Sequence, residues 1–184
     1  MTQSGLAPRR AALTLLNDVT IDARLLSEVL PRRLRNLAAD DRARAQRLAV
    51  TTLRVLDRAD RMLGPYLRQK PPVPVLNVLR LGVTEICEDG SAAHGVVNDL
   101  VELVRKDAKN ARLSGLVNAV LRKVARDADK WSTLPVPRLP RWLRKPLLAD
   151  YGKQVVAAIE AAHAAAAPLD LSVKTNAAKV AEAL

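Results

Sequence analysis

Phenylalanine is absent from the 184 residues, and the other aromatics are only Trp131, Trp142, Tyr66 and Tyr151. A sheet platform that stacks nucleobases needs aromatics on its strands, and none are placed for that here. Any polynucleotide this chain meets is therefore expected to be held by helices, through phosphates and shape. Cysteine is reduced to Cys87, which excludes an internal disulfide and a cysteine-built structural zinc site. The seven glycines are scattered, so no glycine-rich loop cradles a phosphate or a dinucleotide. No apolar run of about 18 residues is present, which excludes a transmembrane helix. The first residues lack the apolar core of a secretory signal, so the cytoplasm is the expected compartment. Neither a membrane nor a metal is expected as a partner.

What is abundant is positive charge. Lys and Arg number 30 against 19 Asp and Glu, a formal net charge of +11. Residues 1–70 carry +7 of that, residues 71–131 carry +1 and residues 132–184 carry +3. The excess in the first third is nearly all arginine, whose planar fork pairs bidentately with phosphate oxygens. Nucleic acid is the first candidate partner, and a set of merely solvated helix faces is the alternative. With 49% hydrophobic residues the chain has enough Leu, Val and Ala to fill a core and is no disordered polycation.

Helical periodicity runs through the first 130 residues. Ala12, Leu16 and Val19 form one stripe, with Pro8 suited to a first helical position. Leu25, Leu26, Val29, Leu30, Leu34 and Leu37 form a second, which Pro31 bends or divides. Asp40 or Asp41 is the expected N-cap of a long third helix that buries Ala45, Leu48, Ala49, Thr52, Leu53 and Leu56. Gly64-Pro65 and the Pro71-Pro72-Val73-Pro74 cluster break the chain. The next helix has Val75, Leu79, Leu81, Val83 and Ile86 almost all round it, which predicts a central, enclosed position. After a turn at Glu88-Asp89-Gly90-Ser91, Val97, Leu100, Val101 and Val104 point inward from another helix. A basic turn, Arg105 to Asn110, leads to the last core helix, with Leu116, Val117, Val120, Leu121 and Val124.

Beyond Trp131, Pro135, Pro137 and Pro140 mark a linker, followed by helical segments over residues 142–150 and 153–166. Residues 168–174 alternate apolar and polar, the sole β-like signal, and residues 176–184 open a helix. One strand and half a helix do not make a stable sheet unit. The sequence therefore predicts residues 1–131 as a helical domain, 132–167 as a Pro-rich linker with two short helices, and 168–184 as the start of a truncated α+β subdomain.

Residues suited to catalysis are sparse. His94 and His163 lack a neighbouring nucleophile or ligand, and a capping or packing role is expected for His94. Cys87 reads as a buried, inert thiol. Glu85, Glu88 and Asp89 follow no metal-loop spacing. Trp131 and Trp142 are expected to pin the linker helices onto the bundle.

Three separated blocks carry a resemblance: Leu79-Arg80-Leu81-Gly82-Val83-Thr84-Glu85-Ile86, the segment from Ala93 to Leu103, and Gly115-Leu116-Val117-Asn118-Ala119-Val120-Leu121-Arg122. With Arg9-Arg10-Ala11-Ala12 and Thr52-Leu53-Arg54, they resemble the NusB-type fold, an all-α RNA-binding bundle of two small lobes. The continuation through Leu139-Pro140-Arg141-Trp142-Leu143, Tyr151-Gly152 and residues 168–176 is similar to the linker and first strand of RsmB-type (Sun/Fmu) ribosomal RNA methyltransferases.

That resemblance implies the RNA-binding N-terminal portion of an enzyme that methylates cytosine C5 of 16S ribosomal RNA. S-adenosylmethionine, the catalytic cysteines and the cofactor glycines then belong to a C-terminal methyltransferase domain outside this chain. Ribosomal RNA and that domain are the implied partners. No catalytic, cofactor-binding or metal residue is assigned here. The implied RNA face comprises Arg9, Arg10, Lys106, Lys109 and Arg112, then Arg32, Arg33, Arg35, Arg42 and Arg44. A free NusB-type antitermination factor and a purely structural interdomain module are the alternatives.

Overall fold

A computed structural model describes residues 5–165 together with Lys174, Lys179, Val180 and Glu182. The described residues are helical, with no strand among them. The strand expected over 168–174, apart from Lys174, and the helix expected after it, apart from Lys179, Val180 and Glu182, lie outside the described residues.

Among residues 5–165, nine α-helices follow one another: α1 (Leu6–Thr20), α2 (Leu26–Leu34), α3 (Ala39–Arg54), α4 (Leu56–Leu63), α5 (Val73–Val83), α6 (Ala93–Arg105), α7 (Ser114–Arg126), α8 (Lys130–Thr133) and α9 (Arg141–Ala164). Helices α1, α2 and α3 pack together as one group, and α4, α6 and α7 surround α5 as another. Helix α5 also touches α1 and α3, so it is shared by both groups. Every residue from Val75 to Val83 is buried, as an apolar surface with no polar side demands.

Two polar residues of α5 are buried among those leucines and valines, and both are satisfied. The Asn77 amide donates to Asn17 Oδ1 and Thr20 Oγ1 of α1, each at 2.8 Å. Arg80 forks onto Asp60 of α4 at 2.7 and 2.6 Å and donates to Asn77 Oδ1 at 3.0 Å. These bonds fix how far α5 slides against α1 and α4, since a buried donor left unmade costs about 1–3 kcal/mol.

Some helix ends differ from the sequence expectation. The N-cap of α3 is Ala38, so Asp40 and Asp41 lie in the first turn, where they act on the helix dipole rather than cap it. Helix α1 begins two residues before Pro8. Helix α2 runs through Pro31 without a break and closes at Leu34.

Trp131 behaves as expected: it is buried, its indole N–H donates to Glu88 at 2.8 Å, and the Arg58 guanidinium lies 4.4 Å from its ring centroid. Trp142 does not, being 76% exposed on α9. Helix α9 is two segments joined at Gly152, whose φ of +75° and ψ of 173° are non-helical and strained for a residue with a Cβ. The chain folds back there, so that Arg144 of the first segment donates to Glu160 of the second at 2.8 Å. Gly152 thus divides α9 into two helical segments.

The crossing of α5 with its neighbours depends on Gly82. A Cβ at that position would lie 2.6 Å from one Leu121 methyl and 3.0 Å from a Leu100 methyl, and both leucines are fully buried. Gly82→Ala is therefore expected to destabilise the fold by about 1–3 kcal/mol through overpacking, although alanine is the better helix former. Urea denaturation of the variant against the parent measures it.

Candidate nucleic-acid interface

Arginine was expected to mark one surface, and the structure divides it between interior and exterior. Arg9 is 5% exposed. Its Nε and Nη2 donate to the two oxygens of Glu85 at 2.7 Å each, and its Nη1 donates to Asp99. Glu85, 1% exposed, also receives Arg44 Nη2 at 3.5 Å. The carboxylate reaches this position because the end of α5 widens into one π-type turn, Thr84–Glu88. Gly5 leaves the room, since a Cβ there would collide with Arg9 Nη1 at 2.1 Å. Burial disfavours the guanidinium charge, but the bonds and charge of Glu85, then of Asp99, outweigh it and hold the Arg9 pKa above its ordinary value.

Arg9 is thus corrected from a phosphate contact to an internal strut. Arg33 is half in the same condition: it forks onto Asp18 at 2.7 Å through both nitrogens. Asp18 is 2% exposed, and hydrogen bonds from Arg33 hold its carboxyl below the usual range despite burial.

The remaining expected residues are at the surface in two places. Arg10 and Lys106 border a groove floored by Leu13, Val75, Val78 and Val104. Lys106 is exposed and reaches Glu102 one turn back, whereas Arg10 makes no ion pair with a described residue. The basic turn beside this groove is shaped by Asp107, which accepts from the Lys109 N–H at 3.0 Å and the Asn110 amide at 2.7 Å. These bonds, the Asn110 side chain first, hold the Asp107 carboxyl below its ordinary range. Lys109 and Arg112 project from the turn and its exit, both exposed. Arg35 and Arg42 border a second groove with Leu30, Pro31 and Gln46, between α2 and α3. Arg32 is exposed and borders neither groove, and Arg44 leans toward Glu85.

A third groove was missed from sequence. Arg61 of α4, Arg138 of the linker, and Arg141, Arg144 and Lys145 of α9 line it, with Asp57 and the aliphatic Leu139 and Leu148. The α9 residues Arg141, Arg144, Lys145 and Leu148 stand at i, i+3, i+4 and i+7, so one helix face presents them together. That spacing is visible in the sequence. In a segment that reads as a linker, such charges look like solvated surface until the opposing α4 side chains are in place.

Nucleophilic chemistry has no support at Cys87. The thiol is half-buried, and burial pushes its pKa up to about 11, so it stays protonated at neutral pH. His94 is exposed near the start of α6, beside Asn98, and supplies no side-chain cap. Among the described residues, no three His, Cys, Asp or Glu side chains are grouped to hold a metal ion. No helix among them is long and apolar enough to cross a membrane.

An all-helical bundle with an apolar shared helix and basic grooves is the class these features define. Residues 6–126 match the NusB family, and the chain belongs to that family. It is also similar to proteins named ribosomal RNA small subunit methyltransferase B. That of Thermus thermophilus is 37% identical over 141 residues, 74% of this chain and 34% of the relative. That of Xanthomonas campestris pv. campestris is 31% identical over 158 residues, 84% of this chain and 36% of the relative. That of Vibrio cholerae is 30% identical over 163 residues, 83% of this chain and 37% of the relative. The chain thus spans a little over a third of the length of these relatives.

Two stability outcomes follow from the internal ion pairs. Glu85→Ala strands the Arg9 guanidinium beside Asp99 alone and is expected to cost about 3–5 kcal/mol in urea denaturation. The double variant Arg9→Met/Glu85→Leu should lose less than Glu85→Ala, because no buried charge is left uncompensated. Asp18, with its folded pKa lowered, adds stability that is present above its unfolded pKa of about 3.9 and is lost as pH falls through the folded value. Unfolding free energy measured between neutral pH and pH 2.5 should therefore fall less steeply below pH 4 in Asp18→Asn than in the parent.

Proposed function

We propose that this chain is the RNA-binding portion of an S-adenosylmethionine-dependent methyltransferase acting on cytosine C5 of 16S ribosomal RNA in the cytoplasm. Residues 1–131 form its NusB-like domain, 132–167 the linker, and 168–184 the beginning of a further RNA-binding subdomain. Methyl transfer belongs to a catalytic domain that is the chain's partner, along with ribosomal RNA.

The observation that carries this reading is the reach of the similarity. An alignment over 84% of the chain exceeds what residues 6–126 supply, so the likeness to the methyltransferases continues beyond the NusB match into the linker. A free antitermination factor of the NusB type would give no reason for that continuation.

The residues present do not fit S-adenosylmethionine. The glycines are dispersed over α5, α6, α7 and separate turns, and none of the grooves described above pairs a glycine-rich turn with a carboxylate for a ribose. No step of the methyl transfer is accordingly derived from this chain. What its side chains do is hold RNA: Arg10, Lys106, Lys109 and Arg112 pair with phosphates along the α1–α6 groove. Arg32, Arg35 and Arg42, with Arg44 at their edge, supply a second set on α2 and α3. Phosphate contacts of this kind position an RNA without reading its sequence.

The test is a salt titration with a structured fragment of small-subunit ribosomal RNA. Arg10→Ala/Lys106→Ala is expected to bind about tenfold more weakly at low salt, with a log–log salt slope shallower by about 1–2. Parent-like affinity and slope would remove the α1–α6 groove from the RNA face. A parent that binds no RNA would favour the structural interdomain module.

A further inference from the structure

We propose that the groove between α4 and the start of α9 is a further phosphate-binding site, taking the phosphodiester backbone of RNA. The proposal rests on the RNA-binding reading above and adds a site that reading does not contain.

The groove has a volume of about 590 Å³, within the range of about 300–1,000 Å³ typical of ligand sites. Five cationic side chains line it against one carboxylate, Asp57. That carboxylate is already engaged: it accepts from Arg61 Nε at 3.0 Å and from the Arg138 backbone N–H at 3.1 Å. Arg144 is held by Glu160 at 2.8 Å. The side chains of Arg138, Arg141 and Lys145 make no ion pair with a described residue, and all three are exposed. Three exposed cations thus line one cleft without a salt bridge of their own, and only Arg138 feels a further carboxylate, that of Glu160. Such a cluster repels itself, and a phosphate relieves the repulsion while accepting several charge-assisted hydrogen bonds.

The scaffold beneath them is fixed. The linker is pinned at two consecutive residues, Arg138 to Asp57 and Leu139 to Glu160, the latter at 3.0 Å. Pro137 and Pro140 flank that pair and limit its backbone freedom. Arg141 opens α9, so the positive end of that helix adds to the field at the groove. Trp142, exposed beside Arg141, offers a face on which a neighbouring base can stack. None of these cations takes part in the α1–α6 groove, so the two sites contribute separately to RNA binding.

The experiment has two probes on the 184-residue chain. In the first, Arg141→Gln/Lys145→Gln is titrated with the ribosomal RNA fragment beside Arg10→Ala/Lys106→Ala. The slope of the first variant should be shallower by about 1–2 and its affinity about tenfold lower at low salt, and the two losses should add. In the second, inorganic phosphate is added to the parent while arginine Nε–Hε resonances are followed. Those of Arg138, Arg141 and Arg144 should shift, and the variant should lose the shift while keeping the parent's melting temperature.

Parent-like RNA binding by Arg141→Gln/Lys145→Gln, with Arg10→Ala/Lys106→Ala impaired, overturns this site and leaves the RNA reading standing. Phosphate that shifts none of the three resonances overturns it as well. Phosphate shifts in a parent that binds no RNA sink the RNA reading and support the groove as an anion site.

Discussion

The ion pair between Arg9 and Glu85 is the constraint on which the bundle depends. It joins the first turns of α1 to the π-type end of α5, and Asp99 and Arg44 extend it to α6 and α3. Taking charges out of water is costly, and the cost is recovered only when the geometry is good and few bonds are missing. Here both Glu85 oxygens and three Arg9 nitrogens are used. The widened turn at Thr84–Glu88 and the absence of a side chain at Gly5 both accommodate that one pair. Hydrophobic burial supplies the larger driving force, but apolar contacts alone would tolerate several registers of α5. The polar contacts of Glu85, Asn77 and Arg80 select one.

The helices and the central position of α5 were legible in the sequence, because periodicity reports which faces are apolar. Val75 to Val83 could be placed at the centre from composition alone. The role of Arg9 could not: its partner Glu85 lies 76 residues away, and a charge count treats every arginine alike. Arg33 was misjudged in the same way, since Asp18 occupies it across the α1–α2 corner. Trp142 was placed inside by a rule true of most tryptophans, whereas its position on a helix extending from the bundle leaves it in solvent. The i, i+3, i+4 spacing of Arg141, Arg144 and Lys145 was there to be read, but its meaning needed the opposing Asp57 and Arg61 of α4.

Charge and fold are largely separated in this protein. Residues 71–131 are nearly neutral, at +1, and hold Arg80 and Glu85 in internal pairs. The exposed excess lies on α1–α3, on the α6–α7 turn and on the linker. A polyanion bound by these surfaces meets three shallow grooves rather than one deep site, which suits recognition of a folded RNA by outline. Such binding gains its strength from counterion release, so it weakens as salt rises.

The enclosure of α5 from Val75 to Val83 bears on how the protein is made. As the chain leaves the ribosome, α5 appears before α6 and α7, the two helices that cover much of it. Until they follow, the nascent protein presents an apolar cylinder with Asn77 and Arg80 attached to α1 and α4 alone. That interval is where premature association with other chains is most costly, and where a chaperone that holds apolar helices has its substrate. Once the bundle closes, the same residues are removed from solvent.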